Sequence, residues 1–175
     1  MEYYLKSSKQ FYENHSDSRL KFIKKKKFLF LEISKFINNC INNSKEVFVF
    51  CAGNSIISSS IKSDKINIKE INKSYKNNHD DNITYKDDFE KKDIENCDHL
   101  IIADIEHQNN PALNLLKLSK SINDDARIII LSKNFFWMFI IKMLKFFFNF
   151  SPKQNNFLPS SYLSNLYSSC NLEIV

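Results

Sequence analysis

The sequence predicts a doubly wound α/β fold, in which a mostly parallel sheet carries helices on both faces. Short apolar segments alternate with longer segments of helical periodicity along most of the chain. The strongest of these short segments are apolar throughout, which is typical of strands that are buried on both faces. A chain of 175 residues with 43% hydrophobic residues is long enough to form one domain with a substantial core.

The order of the elements follows from these patterns. We expect a polar lead-in over residues 1–18 and one domain over residues 19–175. The predicted strands are residues 46–50, 66–70, 83–85, 99–103, 126–131 and 172–175. The predicted helices are residues 19–43, 56–61, 72–78, 111–121, 135–150 and 159–170.

Helical spacing also indicates which side chains face the core. In the first helix, apolar residues recur at Leu20, Ile23, Phe30, Ile33 and Ile37. In the helix that begins at Pro111 we expect Leu113, Leu116 and Ile122 on the buried side. A proline suits the first turn of a helix, because its missing amide hydrogen would have no partner there.

The formal net charge is +5, and much of it comes from the four lysines at residues 24–27. Such a run can attract phosphates, RNA or an anionic membrane surface, and it can equally be the solvated face of a helix. The four cysteines form no closely spaced pair, and the N-terminus does not read as a secretory signal. We therefore expect a cytoplasmic protein with reduced thiols, no metal site and no membrane-spanning helix.

The exit of the first predicted strand is the first place where a ligand could bind. Residues 47–55 run from a buried strand into a turn that holds Gly53, the one glycine of the chain. Ligands of doubly wound sheets bind beyond the carboxyl ends of the strands, where the strand order reverses. Seventeen residues after Gly53, Glu70 closes the second predicted strand, and a carboxylate there can accept hydrogen bonds from ribose hydroxyls.

Together with segments 87–90, 104–111 and 157–175, these features resemble a class I methyltransferase that uses S-adenosylmethionine (SAM). The resemblance covers residues 19–175 and is nearest to the small Rossmann-like domains found beside glycosyltransferases in polysaccharide gene clusters. It implies methyl transfer from SAM to a small-molecule, glycan or lipid-linked acceptor. We find no motif of the nucleic-acid amino methyltransferases and no basic stripe with interleaved aromatic residues, so nucleic acid is not an expected partner.

The resemblance also implies which residues would bind the cofactor. The first-strand loop would approach the methionine part, Glu70 the ribose, and the segment after the third strand the adenine. The implied cofactor-binding residues are Cys51, Ala52, Gly53, Asn54, Glu70, Asp87, Asp88, Phe89 and Asp104. His107 would line the acceptor side, where an imidazole can act as general base; it could instead cap the helix that follows.

The chain departs from the family pattern in the first motif and at its end. Val49 stands where the family has an acidic residue, and Cys51 and Ser55 stand where it has glycines. Their Cβ atoms would crowd the methionine part of SAM or force the loop to shift. The family's seventh strand would follow Val175. The departures in the first motif leave a second interpretation, a catalytically inactive methyltransferase fold that serves as a binding or partner subunit.

Residues 135–150 are unusually rich in aromatic and aliphatic side chains, with Lys142, Lys145 and Asn149 on one helical face. A helix of this kind can lie in a membrane interface with its lysines at the headgroups. It can also cover the acceptor pocket, form a dimer surface or simply pack on the sheet. Peripheral membrane contact through this segment is therefore one of the expectations.

Overall fold

The computed structural model describes the backbone of residues 21, 24–42, 44–51, 60–70, 82–85, 91–103, 105, 108–132, 159–170 and 172. Its helices are α1 (Lys27–Cys40), α2 (Lys91–Glu95), α3 (Pro111–Ser119) and α4 (Ser160–Ser169). Its strands are β1 (Glu46–Cys51), β2 (Lys65–Glu70), β3 (Ile83–Tyr85), β4 (His99–Ala103) and β5 (Arg127–Leu131). The predicted elements at 72–78 and 135–150 and the lead-in at 1–18 lie outside these residues.

The five strands form one parallel sheet in the order β3-β2-β1-β4-β5. The chain builds outward from β1 to β2 and β3, then returns to the other side of β1 to add β4 and β5. The strand order therefore reverses between β1 and β4, which is the defining feature of a doubly wound sheet. The predicted α/β class is confirmed, and the fold is Rossmann-like.

Alternation along the strands divides the core into two layers, because successive side chains point to opposite faces. One layer contains Val47 and Val49 of β1 together with Phe30 and Ile37 of α1. The other contains Phe48 and Phe50 of β1 and the apolar sides of α2, α3 and α4. Both faces of the sheet are covered, which explains why β1 and β4 are apolar at almost every position.

The helix α1 packs on the sheet through Phe30 and Ile37, with Ile33 partly buried, as the periodicity predicts. Ser34 also lies on the buried side. Its hydroxyl donates a hydrogen bond of 2.8 Å to the Phe30 carbonyl one turn earlier, so the polar group is satisfied without leaving the helix. Leu20 and Ile23 lie outside the described residues.

The apolar side predicted for α3 is confirmed at Leu116 and Ile122, which are partly buried against the core, and is wrong at Leu113. Leu113 is exposed, whereas Leu115 and Leu118 are buried together with Asn114. A polar residue takes a core position here because Gln108 supplies it with a hydrogen-bond partner. The spacing of the apolar residues alone predicts Leu113 on the buried side of α3 and does not predict Asn114 there.

The observed elements differ from the predicted ones at three further places. The helix α2 was not predicted, since its five residues contain Ile94 as their one buried side chain. Ser60 and Ile61 form a turn and an irregular segment rather than the end of the predicted helix 56–61, whose first four residues are not described. Leu172 is irregular rather than the start of a strand, and its amide donates to the Tyr167 carbonyl at 3.0 Å. Residues 173–175 of that predicted strand are not described.

Candidate functional site

The candidate site is the edge of the sheet at which the strands end. In the register between β1 and β2, Cys51 is the Cα partner of Glu70, and these are the last residues of their strands. The structure describes both in their backbone positions. The loop that follows Cys51 therefore starts directly beside the residue that closes β2.

The reversal of strand order lies at the same place. On its other side β1 pairs with β4, with Phe50 opposite Ile102, and β4 ends one residue later at Ala103. The segments that follow β1 and β4 thus leave the sheet from neighbouring strands. In doubly wound sheets, ligands bind beyond the strand ends at such a reversal of strand order.

The other predicted site residues lie outside the part of the chain that the structure describes. They are Ala52, Gly53, Asn54, Asp87, Asp88, Phe89, Asp104 and His107. The topology fixes where their segments start. The segment that holds Gly53 follows β1, the segment that holds Asp87 follows β3, and the segment that holds Asp104 follows β4.

The polar pair of Gln108 and Asn114, which lies beyond β4, was not predicted from the sequence. Gln108 is buried, its backbone N–H donates to the Ile105 carbonyl at 3.1 Å, and its Oε1 accepts from Asn114 Nδ2 at 3.1 Å. Gln108 Nε2 is buried without a hydrogen-bond partner. The pair joins the segment after β4 to α3. One sequence signal was available, namely an asparagine within the apolar helix.

Capping holds the start of α3 in place. Asn110 is its N-cap residue, and the Asn110 side chain accepts a hydrogen bond of 3.0 Å from the Leu113 amide. Pro111 occupies the first turn, as predicted. The segment between β4 and α3 is thereby held at both ends, by the sheet and by the cap.

Asp98 and His99, two titratable groups with shifted pKa values, lie at the opposite edge, where the strands begin. The pKa of Asp98 is lowered, chiefly because its carboxylate accepts hydrogen bonds from the Glu46 and Lys45 amides at 3.1 and 2.7 Å. Burial and the charge of Arg127 lower the pKa of His99, whose Nδ1 lies 2.5 Å from the Ser44 hydroxyl oxygen.

This edge is about 15–20 Å from the carboxyl ends of the strands, given their five to six residues. At the same edge Glu46 accepts from Asn67 Nδ2 at 2.6 Å and pairs with Lys65 at 2.7 Å. Perturbed pKa values often indicate a functional site. Here the charged side chains contact backbone amides and residues of neighbouring strands. These contacts therefore hold the strands together at the edge where the sheet begins.

No protein-family model matches the chain, and no curated protein is significantly similar to it. Within the described residues, no helix has both the length and the apolar character needed to cross a membrane. The same residues contain no group of three or more histidine, cysteine or acidic side chains placed to hold a metal ion.

Proposed function

We propose that this protein binds SAM at the carboxyl edge of its sheet and transfers the methyl group to a small-molecule, glycan or lipid-linked acceptor. One observation carries the proposal, the pairing of Cys51 with Glu70 at the ends of adjacent strands, next to the reversal of strand order. A nucleoside cofactor needs a loop and a strand-end carboxylate on neighbouring strands of this kind. The backbone positions of these residues fit that requirement.

The roles of individual residues follow from the resemblance and from this topology. Glu70 would accept hydrogen bonds from the ribose hydroxyls, and residues 51–54 would line the methionine part. Asp87, Asp88 and Phe89 would contact the adenine. SAM supplies an electrophilic methyl group when it is bound. Asp104 would border the cofactor, and His107 would take a proton from an acceptor hydroxyl held in line with that methyl group.

The test is isothermal titration of the full chain with SAM and with its demethylated product. We expect binding in the micromolar range. Glu70→Gln should weaken it roughly tenfold, because a carboxylate forms stronger hydrogen bonds with hydroxyls than an amide does. The matched control is Glu95→Gln on α2, an exposed carboxylate 3.9 Å from Lys91, which should bind like the unmodified protein.

A second candidate function is that of an inactive methyltransferase fold that acts as a partner subunit. The observation that favours it is the presence of Cys51 and Ser55 where the family has glycines. The absence of heat across millimolar SAM and product would reject the methyl-transfer proposal and favour this one. Peripheral membrane contact through residues 135–150, a segment that the structure does not describe, stays a prediction for either function.

A further inference from the structure

The outer side of α1 exposes several large apolar side chains. Phe28 is 76% exposed, Phe36 is 64% exposed and Leu29 is 53% exposed, although the opposite side of the helix is packed on the sheet. Phe28 and Phe36 are eight residues apart, with Glu32 between them at four-residue spacing, so they lie along one row of the helix. Apolar side chains of this size are usually covered when they cluster.

Exposed lysines precede these side chains at the N-terminal end of α1. Residues 24–27 are four consecutive exposed lysines at the start of α1, and Lys21 is exposed as well. No carboxylate among the described residues forms an ion pair with these five lysines. The nearby acidic residue Glu32 is engaged by Lys35, with Nζ and Oε1 2.6 Å apart. The outer side of α1 therefore combines a dense positive charge with exposed aromatic rings.

We propose that the outer side of α1, with residues 24–27, binds the surface of an anionic lipid bilayer. Lysines at the level of the headgroups gain from the negative surface potential, and phenylalanine and leucine side chains gain by entering the acyl boundary. The buried side of α1 stays on the sheet, so the domain keeps its core while α1 contacts the membrane. Binding to a bilayer through this surface does not depend on SAM binding.

Charge and chemistry favour a bilayer over two other partners. A second copy of the chain would bring an equally cationic surface and no excess of carboxylates to receive it. RNA would satisfy the lysines, but the exposed aliphatic side chains of Leu29 and Leu31 cannot stack on bases. An anionic bilayer satisfies both the charged and the apolar side chains.

The test is flotation of the full chain with vesicles of phosphatidylcholine alone and of phosphatidylcholine with phosphatidylglycerol. We expect the protein to float with the anionic vesicles and to dissociate as salt is raised, because surface charge is screened. The double variant Phe28→Ser/Phe36→Ser and the double variant Lys24→Glu/Lys25→Glu should each lower the partition coefficient about tenfold or more. Thermal melts should show that both variants are folded, since all four side chains are exposed.

Matched controls are Leu113→Ser for an exposed apolar side chain on α3 and Lys120→Glu for an exposed lysine after it. Both should float like the unmodified protein. The proposal is overturned if the protein stays at the bottom with anionic vesicles, or if the α1 variants float unchanged. A dimer in light scattering that the Phe28→Ser/Phe36→Ser variant converts to monomers would also overturn the proposal, because the surface would then bind a second copy. The proposal is likewise overturned if RNA displaces the protein from the vesicles and RNA binding requires Phe28 and Phe36.

Discussion

Cys97 and Cys40 show how burial changes the chemistry of one residue type within a single chain. The Cys97 thiol lies in the core beside β4, and burial, aided by the charge of Glu46, raises its pKa to about 12. Cys40 is exposed at the end of α1. Because thiolates are the reactive form, the two residues should differ greatly in reactivity.

We predict that iodoacetamide at neutral pH labels Cys40 in the native protein and leaves Cys97 unmodified. Peptide mass spectrometry separates the two sites. Denaturant should make Cys97 react at the rate of Cys40, which serves as the internal control. Rapid labelling of native Cys97 would show that the layer formed by α2 and β4 does not exclude solvent.

His99 gives the fold a predicted dependence on pH. Its pKa is lowered from the ordinary value of 6.5 by burial and by Arg127, partly offset by Asp98, and its Nε2 is buried without a partner. A lowered folded-state pKa means that the unfolded chain binds the proton first. The stabilisation is therefore complete above pH 6.5 and is lost as pH falls from there towards the folded-state pKa.

Urea unfolding between pH 7 and pH 5 measures this effect. The free energy of unfolding should fall over that interval in the unmodified protein, and His99→Asn should fall less, because its side chain does not titrate. Equal slopes for the two proteins would mean that His99 is as easily protonated in the folded state as in the unfolded chain.

Among the helices, α3 depends on its N-terminal cap more than its sequence suggests. Asn110 accepts the Leu113 amide at 3.0 Å, and the next turn carries Asn114, which bonds Gln108. We predict that Asn110→Ala lowers the free energy of unfolding by about 1 kcal/mol. Asn123→Ala, in the exposed turn before β5, is the control and should stay within about 0.5 kcal/mol.

The elements β4, α3 and α2 show which features of a helix or strand could be predicted from the sequence. The strand β4 was predicted with its observed ends, because four of its five residues are buried and form an apolar run. The buried side of α3 was assigned wrongly at Leu113, since Leu113 is exposed and Asn114, which bonds Gln108, takes a core position. The helix α2 was missed because five residues are too few to show a period.

At the scale of the whole molecule, stability depends on a sheet with two separate core layers. Ile101 contributes to one layer and Ile102 to the other, and both are fully buried in β4. We predict that Ile101→Ala and Ile102→Ala each lower the free energy of unfolding by about 2–5 kcal/mol. The exposed Leu113→Ala should change it by less than about 0.5 kcal/mol.

Denaturant unfolding measures all three variants. Because the two isoleucines lie on opposite faces, their effects should add in the double variant. A large effect from one isoleucine and a negligible one from the other would mean that one face of the sheet is open, which contradicts the doubly wound arrangement.

The sequence by itself determined the class of fold, the described strands to within one residue at either end, and Glu70 as the last residue of β2, because burial on both faces and strand-to-turn changes are local properties of the chain. Only the tertiary structure decided that Cys51 pairs with Glu70, that the strand order reverses at β1 and β4, and that Gln108 and Asn114 are buried together. The physical reason is that register and strand order come from contacts between residues far apart in the chain, which no local pattern encodes.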